Sequence, residues 1–321
     1  MKRIYAVSIV IVLIAASFAI GFEMNSFKPK VTENNTVTVV DDYNTVVKVP
    51  QPVNRIVSLA PSDTEILFAL GLGNKVVGDT VYDDYPAAAA NITHIGGVTN
   101  SSVEEIVALK PNLVLGYSNF EPNVVESLRN LNIPVIVLNP PTITWVMHDI
   151  SIVGLATNTT PRANYLDSMF TNITNDIQND SYNITNPIKV LFLAWYNPIY
   201  TSGQGTFIND MINMVGAINV AGNVSQQWFE MSEESAIASN PSVILLASSN
   251  SFIVSEIKND SIWNVVNAVK NNSFVIMNDV YILEAGPQIF IGLEILAKAL
   301  YPSVYANLPV LTYSDIFPSN S

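Results

Sequence analysis

Ser102-Val-Glu-Glu-Ile-Val-Ala-Leu-Lys-Pro-Asn-Leu-Val-Leu115 returns as Ser232-Glu-Glu-Ser-Ala-Ile-Ala-Ser-Asn-Pro-Ser-Val-Ile-Leu245, at a constant offset of 130. Serine, one glutamate, alanine, proline and an aliphatic run keep register. Each copy reads as a serine-capped helix, a proline stop and a buried strand. Two such units look alike on local physics alone, so the economical reading needs support from the sequence around them.

That support comes from working outward in both directions. Before the first copy, Thr36–Val40 and Val46–Val49 flank a turn and predict a hairpin. Arg55–Leu59 then reads as a strand, Pro61–Leu70 as a helix and Lys75–Gly78 as a strand. After it, a helix around Val124–Leu131 and a strand at Val135–Leu138 complete a strand–helix alternation, the mark of a parallel α/β layer. Between Thr142 and Asn186 no strand is visible. There Ala163, Leu166, Phe170, Ile173 and Ile177 predict one helix of about 18 residues, roughly 27 Å long at 1.5 Å per residue. Past Pro187 the alternation resumes with strands at Lys189–Ala194, Val243–Leu246 and Phe274–Met277. Helices are expected around Phe207–Val215, Glu233–Ser239, Ser261–Val269 and Gln288–Leu300, with an irregular tail after Tyr301. The fold class expected is therefore α/β, two Rossmann-like lobes joined by a long rigid helix. The divisions are 1–22 (export segment), 23–50 (linker and hairpin), 51–141 (first lobe), 142–186 (inter-lobe helical segment), 187–303 (second lobe) and 304–321 (tail).

Composition narrows the function. Fourteen Lys and Arg against 27 Asp and Glu give a net charge of −13, which argues against nucleic-acid binding, since phosphates demand a basic face. The absence of cysteine removes disulfides, thiol nucleophiles and cysteine-ligated metals. Lys2 and Arg3 precede an apolar run from Ile4 to Phe22, the layout of an export signal that is also long enough to stay as a membrane anchor. Either outcome places the remainder on the extracellular face. Asn-x-Ser/Thr sequons fit that location, with Asn91, Asn100, Asn158, Asn172, Asn183 and Asn223 as glycosylation candidates beside Asn34, Asn179, Asn259 and Asn271.

Few residues suggest chemistry. His94 and His148 have no metal-ligand spacing and no nucleophile motif beside them, so neither catalysis nor a metal site is expected. Gly71-Leu-Gly73 and Gly203-Gln-Gly205 are incomplete as phosphate loops and read as turns. Aromatic residues instead cluster after predicted strands, where a doubly wound sheet builds its cleft: Tyr82 to Tyr85, Trp195 to Tyr200, Trp228 in a loop, and Tyr281 to Gln288. Glu104 and Glu234 occupy matching first-turn positions in the two copies. They serve as helix-dipole partners or as symmetric acids for a two-fold partner, and spacing alone leaves both open.

With these stretches in view, the chain resembles the cobalamin- and iron-siderophore-type substrate-binding proteins of ABC importers, the helical-backbone (class III) group, over about Val37 to Pro302. Arg55–Glu65, Val76–Pro86, Ile95-Gly-Gly97, Val103–Pro111 and Tyr200–Gly203 carry the resemblance. It implies a ligand held between lobes and no enzymatic activity. On that pattern Tyr82, Tyr85, Trp195, Trp228, Glu284 and Gln288 would contact ligand. Glu104 and Glu234 would dock on a permease dimer with its ATPase subunits. Cobalamin or a related corrinoid is the ligand implied, with a ferric siderophore or haem as the alternative. A missing aromatic after Gly97 and Gln288 in place of an arginine depart from the pattern and bear on ligand identity. The alternative from another class is an enzyme or surface-interaction module on the same fold.

Overall fold

The computed structural model describes residues 35–117 and 121–318. The expected export segment, the start of the linker and Asn34 lie outside them. The chain opens on the predicted hairpin, β1 (Thr36–Val40) against β2 (Val46–Pro50), antiparallel from Thr36↔Pro50 to Val40↔Val46. Its turn is built by Asp41, whose Oδ1 accepts from the Tyr43 and Thr45 amides at 3.0 and 2.8 Å. The turn is fixed to the first lobe by Arg129, which donates to Asp41 Oδ2 at 2.7 Å. The Asp41 carboxylate is fully buried and Arg129 is about one third exposed, at 32%. Arg129→Ala is expected to destabilise by roughly 2–3 kcal/mol, less than for a fully buried pair because one partner keeps water. The loss would be read as a drop in Tm of roughly 5–10 °C.

The first lobe is a four-stranded parallel sheet of β3 (Ile56–Ser58), β4 (Val76–Gly78), β5 (Leu113–Tyr117) and β6 (Val135–Leu138), in spatial order β4-β3-β5-β6. Between the strands run α1 (Pro61–Ala69), α2 (Val103–Ala108) and α3 (Pro122–Asn130). Two helices follow, α4 (Ile143–Ala156) and α5 (Thr160–Ser181).

The second lobe places β7 (Lys189–Leu193), β8 (Tyr200–Ser202), α6 (Phe207–Met214), β9 (Ile218–Asn219), β10 (Trp228–Glu230), α7 (Glu233–Ser239) and β11 (Val243–Ala247) in turn. It ends with α8 (Ile253–Asn259), α9 (Asn267–Lys270), β12 (Phe274–Met277), α10 (Ile289–Leu300) and α11 (Tyr313–Ile316). Its parallel sheet runs β12-β11-β7-β9. Counted along the chain without the β8–β10 ribbon, this is the order of the first lobe, second strand beside first, then third and fourth. The repeat also holds at backbone level. Ser102 and Ser232 hydroxyls both accept from the amide three residues on, at 3.2 Å. Lys110 and Asn240, each preceding the proline stop, both take left-handed φ, 50° and 45°, the conformation that ends a helix abruptly.

Three expectations are corrected. The inter-lobe segment holds two helices of 14 and 22 residues, not one of 18. In α4 the helical period is blurred, because apolar Trp145 and Leu155 lie on the exposed stripe with Thr144, His148 and Ser151, while charged Asp149 is buried among Ile143, Val146, Ile150 and Val153. Trp228 lies not in a loop but in β10, paired antiparallel with β8. The tail after Tyr301 is not irregular throughout. Its capping box at Thr312 and Asp315 starts α11, and Tyr305, Ile316 and Phe317 are buried.

One core cluster runs from Ile56 and Leu115 of the first sheet through Ile150, Leu166 and Phe170 to Phe192, Leu245 and Phe290 of the second lobe, with separate clusters around Ile106 in the first lobe and Trp263 in the second. Phe170 of α5 and Phe290 of α10 stack at 3.8 Å between ring centres. The tail makes a second tie: Leu311 donates to Glu294 of α10 at 2.8 Å, while Tyr313 and Phe317 meet the Tyr85 ring at 5.5 and 6.1 Å in the first lobe. Arg162 donates to Ala69 at 2.9 Å and Ile316 at 2.5 Å, joining α5, α1 and the tail.

Candidate functional site

Parallel strands end in loops at their carboxyl edges, and in both lobes those loops carry the aromatic residues singled out above. One cavity of about 390 Å³ draws its walls from both sets: Pro61, Tyr82, Asp84 and Tyr85 from the first lobe, and Asn278 to Tyr281, Leu283 and Glu284 from the second. Tyr82 is 61% exposed and lines the cavity. Tyr85 is half-buried, its outer edge already occupied by Tyr313 and Phe317. Asp279 is held by Ser248 Oγ at 2.7 Å and the Ser249 amide at 2.9 Å, so the loops after β11 and β12 are fastened together. Among the described residues no arginine lines this cavity; Arg55, Arg129 and Arg162 are committed to Leu109, Asp41 and Ile316.

Below the cavity lies a contact between lobes that sequence reading missed. Glu65 of α1 is fully buried and accepts from the Gln288 amide at 3.3 Å and from Gln288 Nε2 at 3.1 Å. Gln288 therefore faces Glu65 with a buried side chain, not the open cleft. The Glu284 carboxyl shares a hydrogen bond with Glu65. Burial pushes both carboxyls up, Glu284 to about 7. Two carboxyls in hydrogen-bond contact must share a proton. Gly286 makes the approach possible, since a Cβ there would sit 2.5 Å from Glu65 Oε2.

Trp195 and Trp228 do not line the 390 Å³ cavity. Trp195, 48% exposed, follows β7 on the same sheet edge, its Nε1 donating to the Asn197 carbonyl at 3.1 Å. Trp228 is half-buried, stacked on Tyr200 at 6.4 Å. The structure thus brings Tyr82, Tyr85 and Glu284 together and sets the two tryptophans on separate supports.

The family model described as periplasmic binding protein matches residues 56–281. The chain belongs to the periplasmic binding protein family. An uncharacterized ABC transporter substrate-binding lipoprotein, YvrC of Bacillus subtilis (strain 168), is 31% identical over 281 residues, 85% of this chain and 88% of that one. The vitamin B12-binding protein of Yersinia pestis (strain Pestoides F) is 28% identical over 202 residues, 63% of this chain and 72% of that one. Among solved structures, the periplasmic heme-binding protein RhuT from Roseiflexus sp. RS-1 superposes with a TM-score of 0.71 at 27% identity, covering 78% of this chain and 99% of that one. The fold is accordingly the two-lobed α/β arrangement of these binding proteins, and the function is that of a solute-binding component of an ABC importer.

In this binding protein Glu104 and Glu234 are exposed on the first turns of α2 and α7. Serines, not these glutamates, cap the two helices. The six sequon asparagines, Asn91, Asn100, Asn158, Asn172, Asn183 and Asn223, are all exposed. Among the described residues no helix is long and apolar enough to cross a membrane. His94 pairs with buried Asp79 at 2.8 Å. His148 lies beside Asp42 and Asp149.

Proposed function

We propose that this binding protein takes cobalamin or a related corrinoid between its lobes and delivers it, unchanged, to an ABC permease. The reading rests on the cleft cavity: tyrosine faces from both lobes, acids at its rim and no guanidinium among the described lining residues. A neutral-to-cationic macrocycle suits such a wall, whereas an anionic ferric siderophore calls for arginines. The cavity accepts part of a macrocycle; the remainder would meet Trp195 and Trp228, which follow strands on the same side of the second lobe, with Glu284 orienting its polar edge. Gln288 contributes by fixing Glu65 beneath.

Haem is the second reading, favoured by the likeness to the Roseiflexus protein. Binding proceeds without turnover. The divisions 51–141, 142–186 and 187–303 would be two lobes and the segment that joins them, with 304–321 as the tie. Lys2 to Phe22 would export the chain to the extracellular face and anchor it or be cleaved, and the sequon asparagines would carry glycans. Glu104 and Glu234 would meet the two halves of the permease dimer, whose ATPase subunits drive release.

Calorimetric titration with cyanocobalamin, haemin and a ferric hydroxamate tests the ligand. One-site binding of cyanocobalamin is expected, weakened about tenfold or more in Tyr82→Ala through loss of one stacked ring, about 1–2 kcal/mol. Binding of haemin alone transfers the assignment to haem. Heat from none of the three overturns the cleft reading.

A further inference from the structure

Away from the cleft, three ligand-type atoms converge where the hairpin turn meets α4. His148 Nδ1 lies 3.8 Å from Asp42 Oδ1 and 3.7 Å from Asp149 Oδ1, and all three atoms fall within 4.8 Å of one another. The two imidazole–carboxylate separations are too long for hydrogen bonds. They are a few tenths of an ångström wider than the roughly 3.4 Å edge of a tetrahedron with bonds of about 2.1 Å to zinc. Asp42 is oriented from behind: Oδ2 accepts from the Asn139 amide at 2.6 Å and Oδ1 from Trp145 Nε1 at 2.9 Å. Outer contacts of this kind hold a ligating carboxylate in position.

A second observation makes this more than an acidic surface patch. The Asp149 side chain is fully buried, no N–H or hydroxyl donates to its oxygens, and its carboxyl meets only that of Asp42. Asp63 of α1, also fully buried with two unpartnered oxygens, stands close enough to feel the Asp149 charge. Buried carboxylates need compensation, yet Arg129 is spent on Asp41 and the Val135 carbonyl. Among the described residues no lysine or arginine pairs with Asp63 or Asp149, and the open side of the place is the half-exposed imidazole of His148.

We propose that Asp42, His148 and Asp149 bind a zinc-class divalent cation on the first lobe, with a water in the fourth position. An imidazole with two carboxylates suits zinc, whereas calcium and magnesium prefer oxygen donors throughout. The ion would tie the hairpin turn to α4, the helix whose first amide, that of Ile143, donates to Asp210 of the second lobe at 2.8 Å. This inference does not depend on the identity of the cleft ligand.

The test is calorimetric titration of the full chain, stripped with a chelator, with zinc chloride in a non-coordinating buffer. One saturable site is expected, with a Tm rise of several degrees at saturation. His148→Gln, which changes a half-exposed side chain, and Asp149→Asn, which keeps a donor for Asp42, should each weaken binding about tenfold or more. His94→Gln serves as the control and should bind as the parent does. Circular dichroism confirms that the variants fold. Absence of saturable binding overturns the proposal, as does binding that both His148→Gln and Asp149→Asn leave unchanged.

Discussion

Lysine at both Glu104 and Glu234 is expected to abolish ligand delivery while leaving ligand affinity within about twofold of the parent protein. Both acids are exposed on the first turns of α2 and α7, Glu104 accepting only a 3.3 Å hydrogen bond from the Ser102 hydroxyl, and neither lines the cleft cavity. Their helices do not need them as caps, because the Ser102 and Ser232 hydroxyls already accept the third amide. The local cost of reversal is the dipole interaction, a few tenths of a kcal/mol per helix. Against basic sockets on a permease the same change acts twice. At about 1.5 kcal/mol or more per charge pair, delivery falls more than about 100-fold. Uptake into vesicles holding the permease and its ATPase subunits, measured beside calorimetry of the isolated protein, separates the two quantities. Undiminished uptake would assign both acids to helix stability alone.

The second large effect is expected from pH. Glu65 and Glu284 share a proton beneath the cleft, and burial raises both carboxyls, Glu284 to about 7. A carboxyl raised on folding keeps its full contribution below the unfolded value near 4.5 and loses it as pH climbs through the folded value. Between pH 5 and 8 the burial-raised Glu284 carboxyl should by itself weaken the fold by roughly 2–3 kcal/mol, from about 2 pH units at 1.36 kcal/mol each. Asp63, Asp79, Asp83 and Asp149 are raised by burial too and add slope of the same sign. The comparison that isolates the pair is therefore with Glu284→Gln, whose amide can donate to Glu65 at any pH. The variant should match the parent near pH 5 and exceed its Tm by several degrees at pH 8. Parallel melting curves for the two proteins would rule out the shared proton.

What was legible in the sequence was whatever chemistry acts over a few residues. A serine cap, a proline stop and an aliphatic strand are local signals, so the repeat at Ser102 and Ser232 and the strands at Val135 and Phe274 could be read before any coordinates. α4 could not, because apolar Trp145 and Leu155 sit on its exposed stripe and charged Asp149 on its buried face, which hides the helical period. The tail misled for a related reason: Tyr305 and Phe317 find their partners in other segments, the Tyr305 hydroxyl donating to the Val215 carbonyl at 3.1 Å. Glu284 and Gln288 were placed on the correct loop, but the role of Gln288 depended on Glu65, 223 positions away. His148 looked isolated because Asp42 reaches it only through folding.

The tail changes how the two lobes can move. A pair of plates joined by one rod may tilt in any direction about its ends, but a second bar set off from the first removes most of those freedoms. Here α5 is one bar, and the segment from Leu311, held on α10, to Phe317, seated against Tyr85, is the other. With a common core between them, the motion left is a small twist about the line joining the two ties. Cargo is therefore expected to enter from the open edge of a nearly fixed slot, not through the closing of a jaw.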